Sequence, residues 1–224
     1  MALGSVLRVV TADGRTLVGA SFGPTTGQPM LFIAGAATSK KMIFGMDLLE
    51  SLNIRLFTMD RAGLGDSSED PHRTLTSTAS DYHAFLSGVL GEGASEIPVI
   101  ANSQGAVFGL MLAASSPMQN LTLVSPIDEV AHPIIRAKLP AEATELADLA
   151  LTSPERAADI LGSFSAEAME EMVLAGSDEA DAAFYRSPLF LARYRCALNE
   201  GFANGGSGYV QDTLLALRPW NIDF

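Results

Sequence analysis

Four short apolar runs, Met30 to Ala34, Ile54 to Met59, Ile97 to Ala101 and Leu121 to Val124, recur along the first half of the chain with helical patterns between them. A run of this kind offers no polar face to water, so it requires a strand covered on both sides. Strands of that type alternating with helices predict an α/β fold, a mostly parallel sheet with helices on both faces. Ser5 to Thr11 and Thr16 to Phe22 flank the turn Ala12-Asp13-Gly14-Arg15. Its Asp-Gly pair adopts positive φ at little cost, which predicts an antiparallel hairpin. Apolar residues at intervals of three and four predict helices over Lys41 to Leu49, Thr78 to Leu90 and Gln104 to Ala114. The predicted order is β-β-β-α-β-α-β-α-β.

After Pro126 strand-like runs stop, and Ala, Glu, Leu and Met dominate to about Leu217. Thr152-Ser153-Pro154-Glu155 reads as a helix start with a capping hydroxyl, an early proline and an acid, and Ser165 and Ser177 precede similar acid-rich first turns. The chain divides on this reading into a core over residues 1–126, a helical insertion over 127–217 and a return to the core over 218–224.

Bulk composition narrows the function. With 224 residues, 48% of them apolar, the chain can bury a real core. The balance of 14 Lys and Arg against 26 Asp and Glu, with Lys40-Lys41 as the longest basic cluster, argues against a nucleic-acid partner. No apolar run approaches the ~20 residues of a membrane span. Met1 to Val10 carries Arg8 in an apolar stretch and lacks the form of a signal peptide. A soluble cytoplasmic protein acting on a small molecule is the expectation. Cys196, the single cysteine, rules out an intrachain disulfide and a cysteine-based zinc site, and reads as a small packing residue. No cofactor is implied.

Chemistry concentrates in Val99 to Gly109, where a buried strand passes within a few residues into a helix with Ser103 at the turn. A tight strand-to-helix elbow holds a serine in a strained conformation, lifts its hydroxyl out of the sheet and admits only small neighbours. Ala101 and Gly105 are small, which makes the segment G-x-S-x-G with alanine for the first glycine. The bland alternative is a serine that caps the helix from Gln104. Acyl transfer also needs two N–H donors aimed at a developing oxyanion. The small-residue loop Ala34-Gly35-Ala36-Ala37 after the third strand and the residue after the nucleophile offer them, which singles out Ala36 and Gln104 beside Ser103. A third segment, Asp60-Arg61-Ala62-Gly63-Leu64-Gly65-Asp66-Ser67, runs from a strand into a glycine-punctuated turn, where Asp60 and Arg61 in isolation read as a solvated pair.

In this order the three segments resemble the α/β-hydrolase superfamily. Its H-G-x-x pattern corresponds to Ala34 to Ala37, with alanine for the usual histidine, and its D-R-x-G-x-G-x-S pattern stands intact as Asp60 to Ser67. Leu121 to Pro126 is similar to the family's sixth strand, and Ile127 to Leu217 to its helical cap. Glu200-Gly201-Phe202, Asp212 and Arg218 to Phe224 resemble the exit from that cap in ester and peptide hydrolases. The resemblance implies a serine hydrolase of a small carboxylic ester, thioester or amide. It admits a cofactor-free haloperoxidase, an acyltransferase or a non-catalytic ligand-binding member as alternatives. It also implies a triad acid and histidine in later strands, so the chain reads as lacking its C-terminal strands. Leu121 to Val124 is then expected as a sheet edge, which would admit pairing of two copies into a homo-oligomer. His72, in a polar loop, and His83, in a helix, read as packing or surface residues. His132 and Asp128, just after the sixth strand, are the weaker candidates for a base and an acid.

Overall fold

The computed structural model describes residues 4–223. It holds one six-stranded sheet in the order β1-β2-β4-β3-β5-β6. The strands are β1 (Ser5–Val10), β2 (Thr16–Phe22), β3 (Gln28–Ile33), β4 (Ile54–Met59), β5 (Pro98–Asn102) and β6 (Asn120–Val124). The first hairpin is antiparallel, β2 joins β4 antiparallel, and the remaining pairs are parallel, with Leu31 opposite Phe57 on one side and Val99 on the other. Among the described residues β6 pairs with β5 alone and stands at one edge of the sheet.

Two helices follow the apolar runs as expected. α1 (Leu75–Leu90) starts three residues earlier than the pattern indicates, because Thr74 and Ser77 form a reciprocal capping box. α2 (Gly105–Ser115) is apolar on nearly every side and buried accordingly. Both lie on one face of the sheet, where Tyr82, Phe85, Val107 and Phe108 pack on Leu31, Ile33, Phe57 and Val99. Each fully buried side chain of this size contributes about 1.5–3 kcal/mol.

The other face departs from expectation. Residues 41–49 form no α-helix; only Met46–Leu48 makes a single 3-10 turn, entered through Gly45 with φ of 63°. Distant parts of the chain hold the residues that lead into this segment instead. The Lys40 N–H is given to the Asp60 carboxylate, and the Ser39 N–H to the Ala197 carbonyl at 3.0 Å.

Among the described residues seven further helices follow β6: α3 (Pro133–Arg136), α4 (Ala141–Thr152), α5 (Pro154–Gly162), α6 (Ala166–Gly176), α7 (Glu179–Tyr185), α8 (Pro188–Gly201) and α9 (Ser207–Leu217). Ser165 caps α6 through a bond from the Ala168 N–H. The other two expected caps differ. Ser153 precedes Pro154 but makes no side-chain bond, and α7 is capped by Asp178 rather than Ser177. Cys196 is exposed on α8, against its reading as a packing residue, with its sulfur 3.5 Å from Lys41 Nζ. Among the described residues no helix is long and apolar enough to cross a membrane.

Candidate active site

Ser103 follows β5 directly and adopts φ of 52°, the left-handed region that L-residues avoid. Such a conformation costs of order 1–3 kcal/mol and persists only where the surroundings enforce it. Here they do. The Ser103 N–H donates to the Val124 carbonyl at 3.0 Å, and its own carbonyl accepts from Ala106 and Ile127. Small neighbours are required by space: a methyl on Gly105 would lie 2.6 Å from the Ala34 carbonyl oxygen, and one on Gly35 would lie 3.1 Å from Ser103 Cβ. The serine does not cap α2, because the residue at the cap position is Gln104, without a side-chain cap bond. The Ser103 hydroxyl has no hydrogen-bond partner among the described residues.

That hydroxyl belongs to a cavity of about 120 Å³ bounded by Gly35, Ala36 and Ser103 on the sheet side and by Met169, Tyr185 and Tyr194 from the helical segment. Burial pushes both tyrosine hydroxyls up from their ordinary pKa, so both stay neutral donors. A second cavity of about 480 Å³ lies against the open face of the sheet, lined by Phe32, Phe44, Ile54, Leu56 and Ile100, and meets the first at Asn102 and Tyr185. It is larger and mostly apolar, with Asn102, Ser125 and Asp181 among its few polar lining residues, and the strained serine belongs to the smaller one.

The structure brings Ser103 and Ala36 to one cavity and places Gln104 directly behind the serine. Neither the Ala36 nor the Gln104 backbone N–H donates to a protein acceptor among the described residues. The three histidines are elsewhere: His72, His83 and His132 are all exposed. Nδ1 of His132 caps α3 by accepting from the Ile134 N–H, and the Asp128 carboxylate accepts from the Glu129 N–H. Among the described residues, no histidine, aspartate or glutamate lines the Ser103 cavity.

A network of buried charge lies beneath the loop. Arg61 is 1% exposed and Asp212 fully buried, so the solvated-pair reading of Asp60 and Arg61 fails for both residues, Asp60 being equally hidden. Arg61 Nε donates to Asp212 at 2.7 Å, while its two terminal nitrogens donate to the carbonyls of Ala34 and Gly35 at 2.9 Å each. The guanidinium also stacks on Phe108, 4.8 Å from the ring centre. Arg73 joins the same carboxylate from the other side. Burial opposes the Arg61 charge most strongly, but Asp212 and Tyr82 together outweigh it and hold the guanidinium protonated. Asp60 serves a second buried cation, accepting from Lys40 Nζ at 2.9 Å. Burial discourages the Lys40 charge, and Asp60, Asp66 and Glu200 together raise its pKa above the ordinary lysine value; burial likewise pushes the Asp60 carboxyl up against the pull of Lys40.

Sequence reading missed the role of Arg61 and the contributions of Met169, Tyr185 and Tyr194. In the sequence Asp212 stands out only as part of the segment that resembles the exit from the family's cap. The fixed spacing of Arg61 from the Asp60 motif was the available signal, but its partner lies 151 residues away.

Several solved structures share this architecture. An esterase from Thermogutta terrifontis superposes with a TM-score of 0.59 at 19% identity, over 92% of this chain and 72% of the esterase. A carboxylesterase structure from Nitrososphaera gargenis gives 0.59 at 14% identity over 97% and 73%. The epoxide hydrolase CorEH gives 0.64 at 15% identity over 95% and 73%. At such identities the likeness is one of fold. No curated protein matches the chain. The family model of the alpha/beta hydrolases matches residues 30–221, which takes in every segment that forms the Ser103 cavity, and the chain belongs to that family.

Proposed function

We propose that this protein is a serine hydrolase in which Ser103 attacks the carbonyl of a small carboxylic ester, thioester or amide and forms an acyl-enzyme. The serine hydroxyl proton passes by way of water to the alcohol, thiol or amine that leaves, and a water molecule then cleaves the acyl-enzyme to the free acid and serine. The observation that carries the reading is the left-handed φ of Ser103 at a strand-to-helix turn, with an unpartnered hydroxyl opening into a cavity beside Ala36. As the serine oxygen bonds to the carbonyl carbon, negative charge moves onto the substrate oxygen. The N–H groups of Ala36 and Gln104 are the donors for it. Helices α3–α9 act in this reading as a cap, and Met169, Tyr185 and Tyr194 shape the acyl side of the site. A serine nucleophile separates the chain from epoxide hydrolases, whose elbow carries an aspartate.

Base catalysis is the weak element. With no histidine in the Ser103 cavity among the described residues, oxyanion donors and binding leave an advantage of roughly 10³–10⁴ over water, by the example of proteases stripped of a triad member. The same observation favours a second reading, a ligand-binding member of the family without turnover. A fluorophosphonate probe separates the two, because it labels an activated serine. Labelling that disappears in Ser103→Ala supports the hydrolase, together with slow cleavage of a p-nitrophenyl ester. A chain inert to the probe but binding small apolar esters by calorimetry sinks it.

A further inference from the structure

We infer that helix α9 positions both oxyanion donors at once, Asp212 acting on the Ala36 side and Thr213 on the Gln104 side; the inference rests on the assignment of those two amides to the site. The two residues are consecutive, yet they grip different parts of the core. Asp212 holds Arg61 Nε, and Arg61 Nη2 takes the Gly35 carbonyl at 2.9 Å. That carbonyl and the Ala36 N–H belong to one peptide unit. In a planar trans peptide the two groups point in opposite directions. Drawing the Gly35 oxygen toward the buried guanidinium therefore turns the Ala36 N–H away from it. The neighbouring bond from Arg61 Nη1 to the Ala34 carbonyl, also 2.9 Å, fixes the preceding peptide as well.

On the other side, Thr213 Oγ1 accepts from the side-chain amide of Gln104 at 3.0 Å. Gln104 is 6% exposed, and its Oε1 has no partner, so the bond to Thr213 is the tie that the structure gives this side chain. Gln104 in turn shares a peptide unit with the Ser103 carbonyl, which the N–H groups of Ala106 and Ile127 hold at 3.1 and 3.3 Å. One rigid helix thus spans the two segments whose separation defines an oxyanion site. Arg61, Asp212 and Thr213 touch no reacting atom and are positioning residues. A planar fork is needed to bond two successive carbonyls and a carboxylate together, and lysine, with a compact ammonium, lacks it.

The test uses the full chain with Arg61→Lys, Thr213→Val and Thr213→Ser. Hydrogen exchange is followed by mass spectrometry over residues 34–39 and 103–107, and labelling of Ser103 by a fluorophosphonate is followed against probe concentration. Arg61→Lys is expected to speed exchange over 34–39 by about tenfold, the loss of one net hydrogen bond, while α1 and the β1–β2 hairpin keep their rates. It should also lower the maximal labelling rate by about 10²-fold, the effect of one lost oxyanion donor, with the half-saturating concentration unchanged. Thr213→Val should lower the maximal rate by about tenfold, and Thr213→Ser should restore it. Exchange over 34–39 that is unchanged in Arg61→Lys, or accelerated equally across the whole sheet, overturns the inference. So does a Thr213→Val protein with wild-type exchange over 103–107. If the wild type takes no label, the serine-hydrolase reading fails, and the exchange rates still decide whether α9 positions the two segments.

Discussion

Replacing Asp212 with alanine is expected to lower the stability of the protein by about 3–5 kcal/mol, the cost of leaving a buried charge without its partner. For a domain of this size that corresponds to a fall in the thermal midpoint of roughly 6–20 °C. The reason is the number of cations that converge on one carboxylate. Arg61 and Arg73 both bond to Asp212, both side chains are about 1% exposed, and Arg73 Nε has no partner to fall back on. Water cannot reach either guanidinium without opening the contact between α9 and the Asp60 turn. Arg195→Ala is the matched control. Arg195 is 58% exposed and pairs with Glu170 on the surface at 2.7 Å. Loss of an exposed pair changes stability by less than about 1 kcal/mol. Urea unfolding of both variants checks the expectation, and an Asp212→Ala protein as stable as the Arg195→Ala protein contradicts it.

Gly201→Ala should destabilise by about 1–3 kcal/mol, the usual cost of overpacking, while Gly162→Ala should stabilise by about 0.5–1 kcal/mol through helix propensity alone. Both glycines end a helix, α8 and α5 respectively, so propensity treats them alike. Space does not. A methyl at position 201 would overlap the backbone carbonyl of Ala37, whereas nothing stands near the same point at Gly162. Ala37 follows Ala36 and is itself held at φ of 57°. Backbone here cannot retreat as a flexible side chain would, so the clash in Gly201→Ala is relieved by moving the loop over residues 34–38 or the end of α8. A circular-dichroism melt of the two variants gives shifts of opposite sign if this is right; shifts of the same sign would show that the loop yields freely.

The strands of the sheet were legible to within two residues at each end, β3 to β6 by continuous apolar sequence and β1 and β2 by the Asp-Gly turn between them, although β6 at the edge is mostly exposed. The strained turn at Ser103 was legible for a similar local reason: a tight passage from strand to helix imposes smallness on its neighbours, here Ala101 and Gly105. The segment after Lys41 misled. Its apolar spacing suits a helix, but what decides its path is the capture of the Lys40 amide by Asp60, of the Ser39 amide by Ala197 and of the Ser39 and Lys41 side chains by Glu200. Those partners lie 20 to 161 residues away in sequence, and periodicity within a short window carries no trace of them. Arg61 was misread in the same way. Whether an arginine in a glycine-rich turn is solvated or buried depends on whether a carboxylate arrives to meet it, and Asp212 comes from the far end of the helical segment.

That separation also has a meaning in time. During synthesis at 5–20 residues per second, Arg61 leaves the ribosome roughly 8–30 s before the carboxylate that neutralises it. β3, β4 and β5 with α1 and α2 can assemble in that interval, since their contacts are apolar and close in sequence. The guanidinium has to stay hydrated until α9 exists, and the carbonyls of Ala34 and Gly35 wait with it. The loop at the end of an early strand therefore takes its final form only once α9, whose Asp212 lies 151 residues beyond Arg61, has been made.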